Sequence, residues 1–199
     1  MKHLLMAASV LLLTVSTHGQ TTAPAQPCTL KLSQAPAVRG VKLDMTRDEL
    51  FSLFPGLSEL TQPSEPGSYP NFGYGAFSIT PSTYPTKNQF AGIEQYGVTL
   101  FDGRVVGLNV NYSVFPKGAR WRNVDDLVQR FSESLHLPRA ADWTPQPGNI
   151  RKLNCVGFEI AVSYAFEVTQ ISFYQQSWKE TQKERLAAFE EKKRSEFKP

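Results

Sequence analysis

Catalysis needs groups that titrate, ligate or attack, and this 199-residue chain has few of them: three histidines and two cysteines. His3 and His18 lie in a leader-like N-terminus, so His136 is the one histidine expected in a processed chain. That excludes a His-rich metal cluster, and it allows a Ser triad or a Cys–His site only through His136. His136 follows an apolar-periodic segment, which places it at the C-terminal end of a helix, where a cation complements the dipole. The carboxylate pairs Asp48-Glu49 and Asp125-Asp126 fall in expected first helical turns, where capping explains them. Asp102 belongs to an Asp-Gly turn. Glu159 falls on the polar side of a strand, where an acid–base pair with another strand carboxylate stays open. Gly73-Tyr74-Gly75 lacks the strand and helix context of a phosphate loop. No catalytic residue, cofactor or metal ligand is assigned, and the reading leans away from an enzyme.

Binding chemistry has more candidates. Residues 61–88 hold most of the turn formers, Pro63, Pro66-Gly67, Pro70 and Gly73-Tyr74-Gly75, with room for one short strand over 76–80. Loops of this length in a compact domain are usually functional or disordered. Tyr69, Phe72, Tyr74, Phe77 and Tyr84 stand there among polar neighbours, a setting for rings that bind a glycan or a peptide. The competing reading has them fold back over a sheet edge as buried apolar surface. Arg120-Trp121-Arg122, with Lys117 before it, is the one local basic cluster. It suits an anionic lipid or polymer, or else a buried Trp between solvated arginines. Tyr69, Phe72, Tyr74, Tyr84, Arg120 and Arg122 are thus the candidate ligand contacts. Trp178, Leu186 and Phe189, spaced along a charged C-terminal segment, are the candidate partner contacts.

Lys2 and His3, an apolar run from Leu4 to Val15 and small residues up to Gly19 read as an export signal cleaved before Gln20. The run is shorter than the roughly 20 apolar residues of a spanning helix, and no later segment comes close. Cys28 lies well beyond the position that a lipoprotein would lipidate. Without Lys2 the chain carries 20 basic and 18 acidic residues, balanced over 20–177, so the surplus sits in the tail. That is no basic stripe of a nucleic-acid-binding face. Two cysteines in an exported chain imply one disulfide, Cys28 to Cys155, with two buried free thiols as the alternative.

The elements that must position these groups begin with residues 40–56. Thr46 and Glu49 form a capping box, Met45 and Leu50 a hydrophobic staple, and Leu50, Phe51, Leu53 and Phe54 an apolar helix face that Pro55-Gly56 ends. From Ile93 a hairpin turns at Asp102-Gly103. Putting Tyr96, Val98 and Leu100 on one face with Val106, Leu108 and Val110 calls for a three-residue loop, Phe101-Asp102-Gly103, that pairs Val98 with Val106. Asn123 caps a second helix with Val124, Leu127, Val128, Phe131 and Leu135 at helical spacing, ended by Leu137-Pro138. Arg139 to Asn149 reads as polar turn. A second hairpin follows, with Phe158, Ile160, Val162 and Tyr164 against Thr169, Ile171 and Phe173, and Val156-Gly157 marks a bulge or strand entry. Trp178 to Phe197 favours a charged helix whose apolar stripe is too sparse to bury a whole face.

Gly40-x-x-Leu43-x-Met45-Thr46-x-x-Glu49-Leu50 resembles the opening-helix signature of small outer-membrane assembly lipoproteins and of β-lactamase-inhibitor-type domains, and the Phe101 to Tyr112 turn and strand are also similar to theirs. From about Cys28 to Phe173 the chain resembles uncharacterised exported bacterial proteins that share the capped helix, the Asp-Gly hairpin, a Trp-led second helix and a late Cys. The resemblance to the two named groups implies a helix-plus-antiparallel-sheet binding protein. Asp44 departs from the signature, which has Gly there, and the lipidation Cys is absent.

The fold class expected is α+β, a mostly antiparallel sheet of hairpins with short amphipathic helices packed on one face, plus a charged C-terminal helix. Its divisions are a signal peptide over 1–19, a flexible leader over 20–37, an α+β domain over 38–176 and the helix over 177–199. The function expected is an exported, periplasmic or secreted, non-enzymatic binding or envelope-associated protein. It has a protein or envelope partner, no nucleic acid, and no transmembrane segment in the mature chain. The alternative is a carboxylate-based enzyme or a glycan-binding module using the aromatic loop 61–88.

Overall fold

The computed structural model describes residues 27–54, 73–79, 92–112, 121–165 and 168–197. The expected signal, most of loop 61–88 with Tyr69, Phe72 and Tyr84, and Lys117 and Arg120 of the basic cluster lie outside the described residues.

Helix α1 (Arg47–Leu53) starts on the capping box, with the Thr46 hydroxyl accepting from the Glu49 amide at 3.3 Å and Glu49 Oε2 accepting from the Thr46 amide at 2.7 Å. It buries Leu50 and, just past its end, Phe54. Helix α2 (Val124–Leu135) starts where the Asn123 side chain accepts from the Asp126 amide at 2.9 Å, and it buries Val124, Leu127, Val128 and Phe131. It ends at His136, left-handed at φ 54°, with the Leu137 amide returning to the Ser132 carbonyl.

Among the described residues, seven antiparallel strands form one sheet: β1 (Tyr74–Ile79), β2 (Ile93–Phe101), β3 (Arg104–Tyr112), β4 (Thr144–Gln146), β5 (Ile150–Asn154), β6 (Phe158–Ala165) and β7 (Val168–Gln175), in the order β1-β2-β3-β7-β6-β5-β4. Each short helix is thus followed by a meander, and the two meanders join through their last strands, β3 and β7. This is an α+β fold. Period-two alternation gives the sheet two chemically different sides. The row Val98–Leu108–Phe173–Ile160–Leu153 is wholly buried under α1 and α2, where Phe54 meets Tyr96 and Phe131 meets Phe173 and Trp143.

Two expectations need correction. The β2–β3 connection is a two-residue turn, with Phe101 opposite Arg104 and both Asp102 (φ 50°) and Gly103 (φ 73°) left-handed, the type I′ geometry that follows strand twist. Parity is restored inside the ladder, because a register shift between Thr99 and Leu100 leaves Val106 as an extra residue; Val98 then pairs with Leu108 and Tyr96 with Val110. Beside the bulge, the start of β3 is held on its other edge by the segment ahead of α1, through Val105 N to Met45 O at 2.8 Å and Asp44 N to Val105 O at 2.7 Å. Val106 therefore leaves the side that holds Val98 and packs with Phe101 and Trp178. The second correction concerns Arg139 to Asn149, which is not plain turn. It carries a 3-10 turn (Ala140–Asp142), the buried Trp143 and strand β4.

Cys28 is disulfide-bonded to Cys155 in the β5–β6 connection, 127 residues along the chain. The chain next to Cys28 continues onto the body: Lys31 bridges Val156, and Ala35 is buried. Gly157, at φ 85°, makes the entry into β6.

Helix α3 (Trp178–Glu196) follows β7 and lies on the side of the sheet opposite α1 and α2, with Trp178 buried against Phe101, Val106 and Tyr74. Among the described residues, no helix is long and apolar enough to cross a membrane.

Candidate binding face

The side of the sheet away from α1 and α2 is built from the alternate residues of the same strands, and the register aligns them into rows. One row crosses all seven strands as Ser78, Gly97, Asn109, Ser172, Ala161, Lys152 and Thr144. Its neighbour on one side runs Gln95, Asn111, Gln170, Ser163, Ile150 and Gln146. Its neighbour on the other runs Ala76, Thr99, Gly107, Tyr174, Glu159 and Asn154.

Apart from Ile150, Lys152 and Glu159, these rows are amide, hydroxyl and small residues. The amides hydrogen-bond laterally: Gln95 Nε2 donates to Ser78 Oγ at 3.0 Å, Asn111 Nδ2 to Gln95 Oε1 at 2.9 Å, and Gln170 Nε2 to Asn109 Oδ1 at 3.0 Å. Such ladders orient the side chains while leaving each amide with further donor and acceptor capacity. In these rows the charged residues are Lys152 and Glu159, and they neutralise one another at 2.6 Å. Thr99 and Tyr174 close over Gly107, where a Cβ would come within 3.1 Å of Thr99 and 3.3 Å of Tyr174.

At the hairpin-tip end the face is closed by α3. Trp178 stacks on Tyr74 at 5.8 Å between ring centroids and tilts against Phe101 at 5.9 Å. Arg185 lies over the Phe101 ring at 4.9 Å and gives two hydrogen bonds of 2.7 Å to the Asp102 carboxylate. That grip holds the Asp102 carboxyl below the usual carboxylate range. Lys179 sits 5.0 Å from the centre of the Tyr174 ring.

Of the residues singled out from sequence, Tyr74 and Trp178 come together, and both are engaged with each other. Arg122 lies on the far side of the molecule, paired with Asp126 at 3.1 Å. Leu186 and Phe189 are half-buried on α3 beyond Arg185, with Lys193 over the Phe189 ring at 5.6 Å. The carboxylates examined for acid–base work have structural partners: Glu49 has Thr46, Asp126 has Arg122, Asp125 has Arg151 at 2.6 Å, and Glu159 has Lys152. Among the described residues, no group of three or more His, Cys, Asp or Glu could hold a metal ion.

Sequence reading missed Gln95, Asn109, Asn111, Gln170 and Ser172. A signal was present, since Asn is depleted in strands and yet stands twice in β3, at alternate positions. Comparison with protein-family models, with curated proteins and with solved structures finds no match.

Proposed function

We propose that this chain is an exported, non-enzymatic binding protein whose working surface is the polar side of its seven-stranded sheet. The observation that carries this reading is the one-sided core. The sheet buries one side under two helices and covers the other, in the described residues, only at the hairpin tip. What remains is an ordered, nearly uncharged array of amides and hydroxyls on rigid strands, the kind of support that holds recognition groups in fixed geometry. The Cys28–Cys155 disulfide supports an oxidising compartment, and the leader-like N-terminus supports export. The structural partners of Glu49, Asp102, Asp125, Asp126 and Glu159 speak against the carboxylate-enzyme alternative.

The test is site-resolved crosslinking to cell-envelope extract. A photoreactive residue in place of Gln95, on the polar side, should capture a component that one in place of Gln129, exposed on α2, does not. Capture at Gln129 alone, or at both positions equally, would overturn the assignment.

A further inference from the structure

Asp102-Gly103 is the one Asp-Gly step in the chain, and no Asn-Gly step occurs. In such a step the second residue has no Cβ to shield its amide nitrogen, and that nitrogen can attack the aspartyl side chain. Here the step forms the β2–β3 turn, with both residues left-handed at φ 50° and 73°. The ladder closes through Phe101 and Arg104, so the Gly103 amide is not a ladder donor. A Cβ on Gly103 would meet nothing within 4 Å, and the Asp102 side chain is 50 % exposed. We propose that this turn is a site of backbone isomerisation, at which Asp102 converts to isoaspartate, and that Arg185 on α3 restrains the reaction.

The chemistry needs no co-reactant but water. The Gly103 nitrogen bonds to Asp102 Cγ, the bond from Cγ to a carboxyl oxygen breaks, and one water leaves with that oxygen and the amide proton, closing a succinimide. Water then adds at the backbone carbonyl of Asp102 and breaks its bond to the Gly103 nitrogen. The chain thereafter runs through Cγ, one methylene longer, and the carboxylate is attached directly to Cα.

The protonated acid is the electrophile and the carboxylate a poor one, so whatever keeps Asp102 ionised and fixed opposes ring closure. Two neighbouring elements do so. From α3, Arg185 Nη1 donates to Oδ1 and Nη2 to Oδ2, each at 2.7 Å, and the guanidinium is itself seated over the Phe101 ring at 4.9 Å. This fork holds the Asp102 carboxyl below the usual carboxylate range. Just ahead of β1, the Gly73 carbonyl accepts from the Asp102 amide at 2.9 Å, and a Cβ on Gly73 would collide with Asp102 Oδ1. The carboxylate therefore occupies space that only a glycine leaves. Isoaspartate, with its carboxylate moved and its backbone lengthened, fits neither the Arg185 fork nor a two-residue turn, so conversion loosens α3 and the hairpin tip together.

The test incubates the full-length, disulfide-bonded protein at neutral pH and body temperature, native and in urea, beside native Arg185→Ala and Arg185→Lys. Isoaspartate is counted with an isoaspartyl methyltransferase and placed by electron-transfer fragmentation in a mass spectrometer, while hydrogen exchange follows the β2–β3 amides. We expect isoaspartate at Asp102 ahead of every other aspartate, slow in the native protein and faster in urea. Arg185→Ala should raise the native rate about fivefold, the upper end for an exposed ion pair, with β2–β3 protection unchanged. Arg185→Lys, which keeps the charge without the fork, should raise it less. Absence of isoaspartate at Asp102, a native rate equal to that in urea, or a rate indifferent to Arg185→Ala would overturn the proposal. A rise that comes with lost β2–β3 protection in both variants would assign it to opening of the turn and remove the role of Arg185.

Discussion

Asp102 combines two requirements at one position: it is the first left-handed residue of the β2–β3 turn, and it is the carboxylate that Arg185 grips. Asn tolerates left-handed backbone nearly as well, and a solvent-exposed ion pair contributes little, so Asp102→Asn should barely move a urea midpoint. Gly103→Val forces a β-branched residue to φ 73° and should cost about 1–3 kcal/mol; equal losses in the two variants would contradict the turn geometry. Asp44 shows the same economy, left-handed at φ 67°, with its carbonyl accepting from Arg104 at 3.0 Å. The titrating residues define a pH window. Thr46 holds Glu49 low through its backbone amide and then its hydroxyl, Arg185 holds Asp102 low, and Arg122 holds Asp126 low. Folded values below unfolded ones mean stability that is present above about pH 4 and lost as pH falls through the folded values. Burial raises Tyr96 and Tyr112, and that contribution is present below about pH 10 and lost above it. Urea midpoints should therefore be flat between about pH 5 and pH 9 and fall on both sides. Tyr96→Phe should flatten the alkaline fall, while lowering the midpoint because the Val38 carbonyl loses its donor at 2.8 Å. An alkaline fall equally steep in Tyr96→Phe would assign it to other groups.

Among the elements, α3 is held unevenly. Its first turn buries Trp178 to 9 % exposure, whereas the ion pairs of its last turns, Lys192 to Glu196 and Arg194 to Glu190, join exposed side chains within the helix. Trp178→Ala should cost about 3–5 kcal/mol, far more than deletion of Ala188–Pro199. Melting both variants at low protein concentration checks this, and a deletion as damaging as Trp178→Ala would place the distal helix in the core. Among the described residues Trp178 Nε1 is buried without an acceptor, so Trp178→Phe, which removes the orphan donor, should be much milder than Trp178→Ala. The helix starts were legible because a cap is a local device: Thr46 with Glu49, and Asn123 with Asp125 and Asp126, act within one turn. The β2–β3 turn was misread because its parity is set in part by a bulge beside a contact with Asp44 and Met45, about 60 residues upstream. Strand β4 was missed because three residues with Pro145 in the middle carry no alternation; those same features suit a sheet edge.

Across the whole molecule the disulfide is the longest covalent constraint, closing a loop between residues 127 apart. The chain-entropy model gives about 4–5 kcal/mol for a loop of this size, an upper figure. Reduction, or Cys28→Ser and Cys155→Ser alike, should lower the melting temperature by many degrees; a melting curve unchanged by reductant would mean that the two ends are held without it. The sequence by itself determined the local devices and the class: both helix starts, alternating strands, a Cys pair, and therefore an α+β chain with a sheet of hairpins. These are properties of windows of a few residues, in which propensity, capping and period-two burial act without distant partners. Tertiary structure alone decided which strands meet, and so which side chains share a row. Asn109, Ser172 and Ala161 are far apart in sequence and ordinary one by one. They become one polar row only because β3 pairs with β7 and β7 with β6, and the free energy that selects that pairing comes from the apolar row on the opposite side of the same strands.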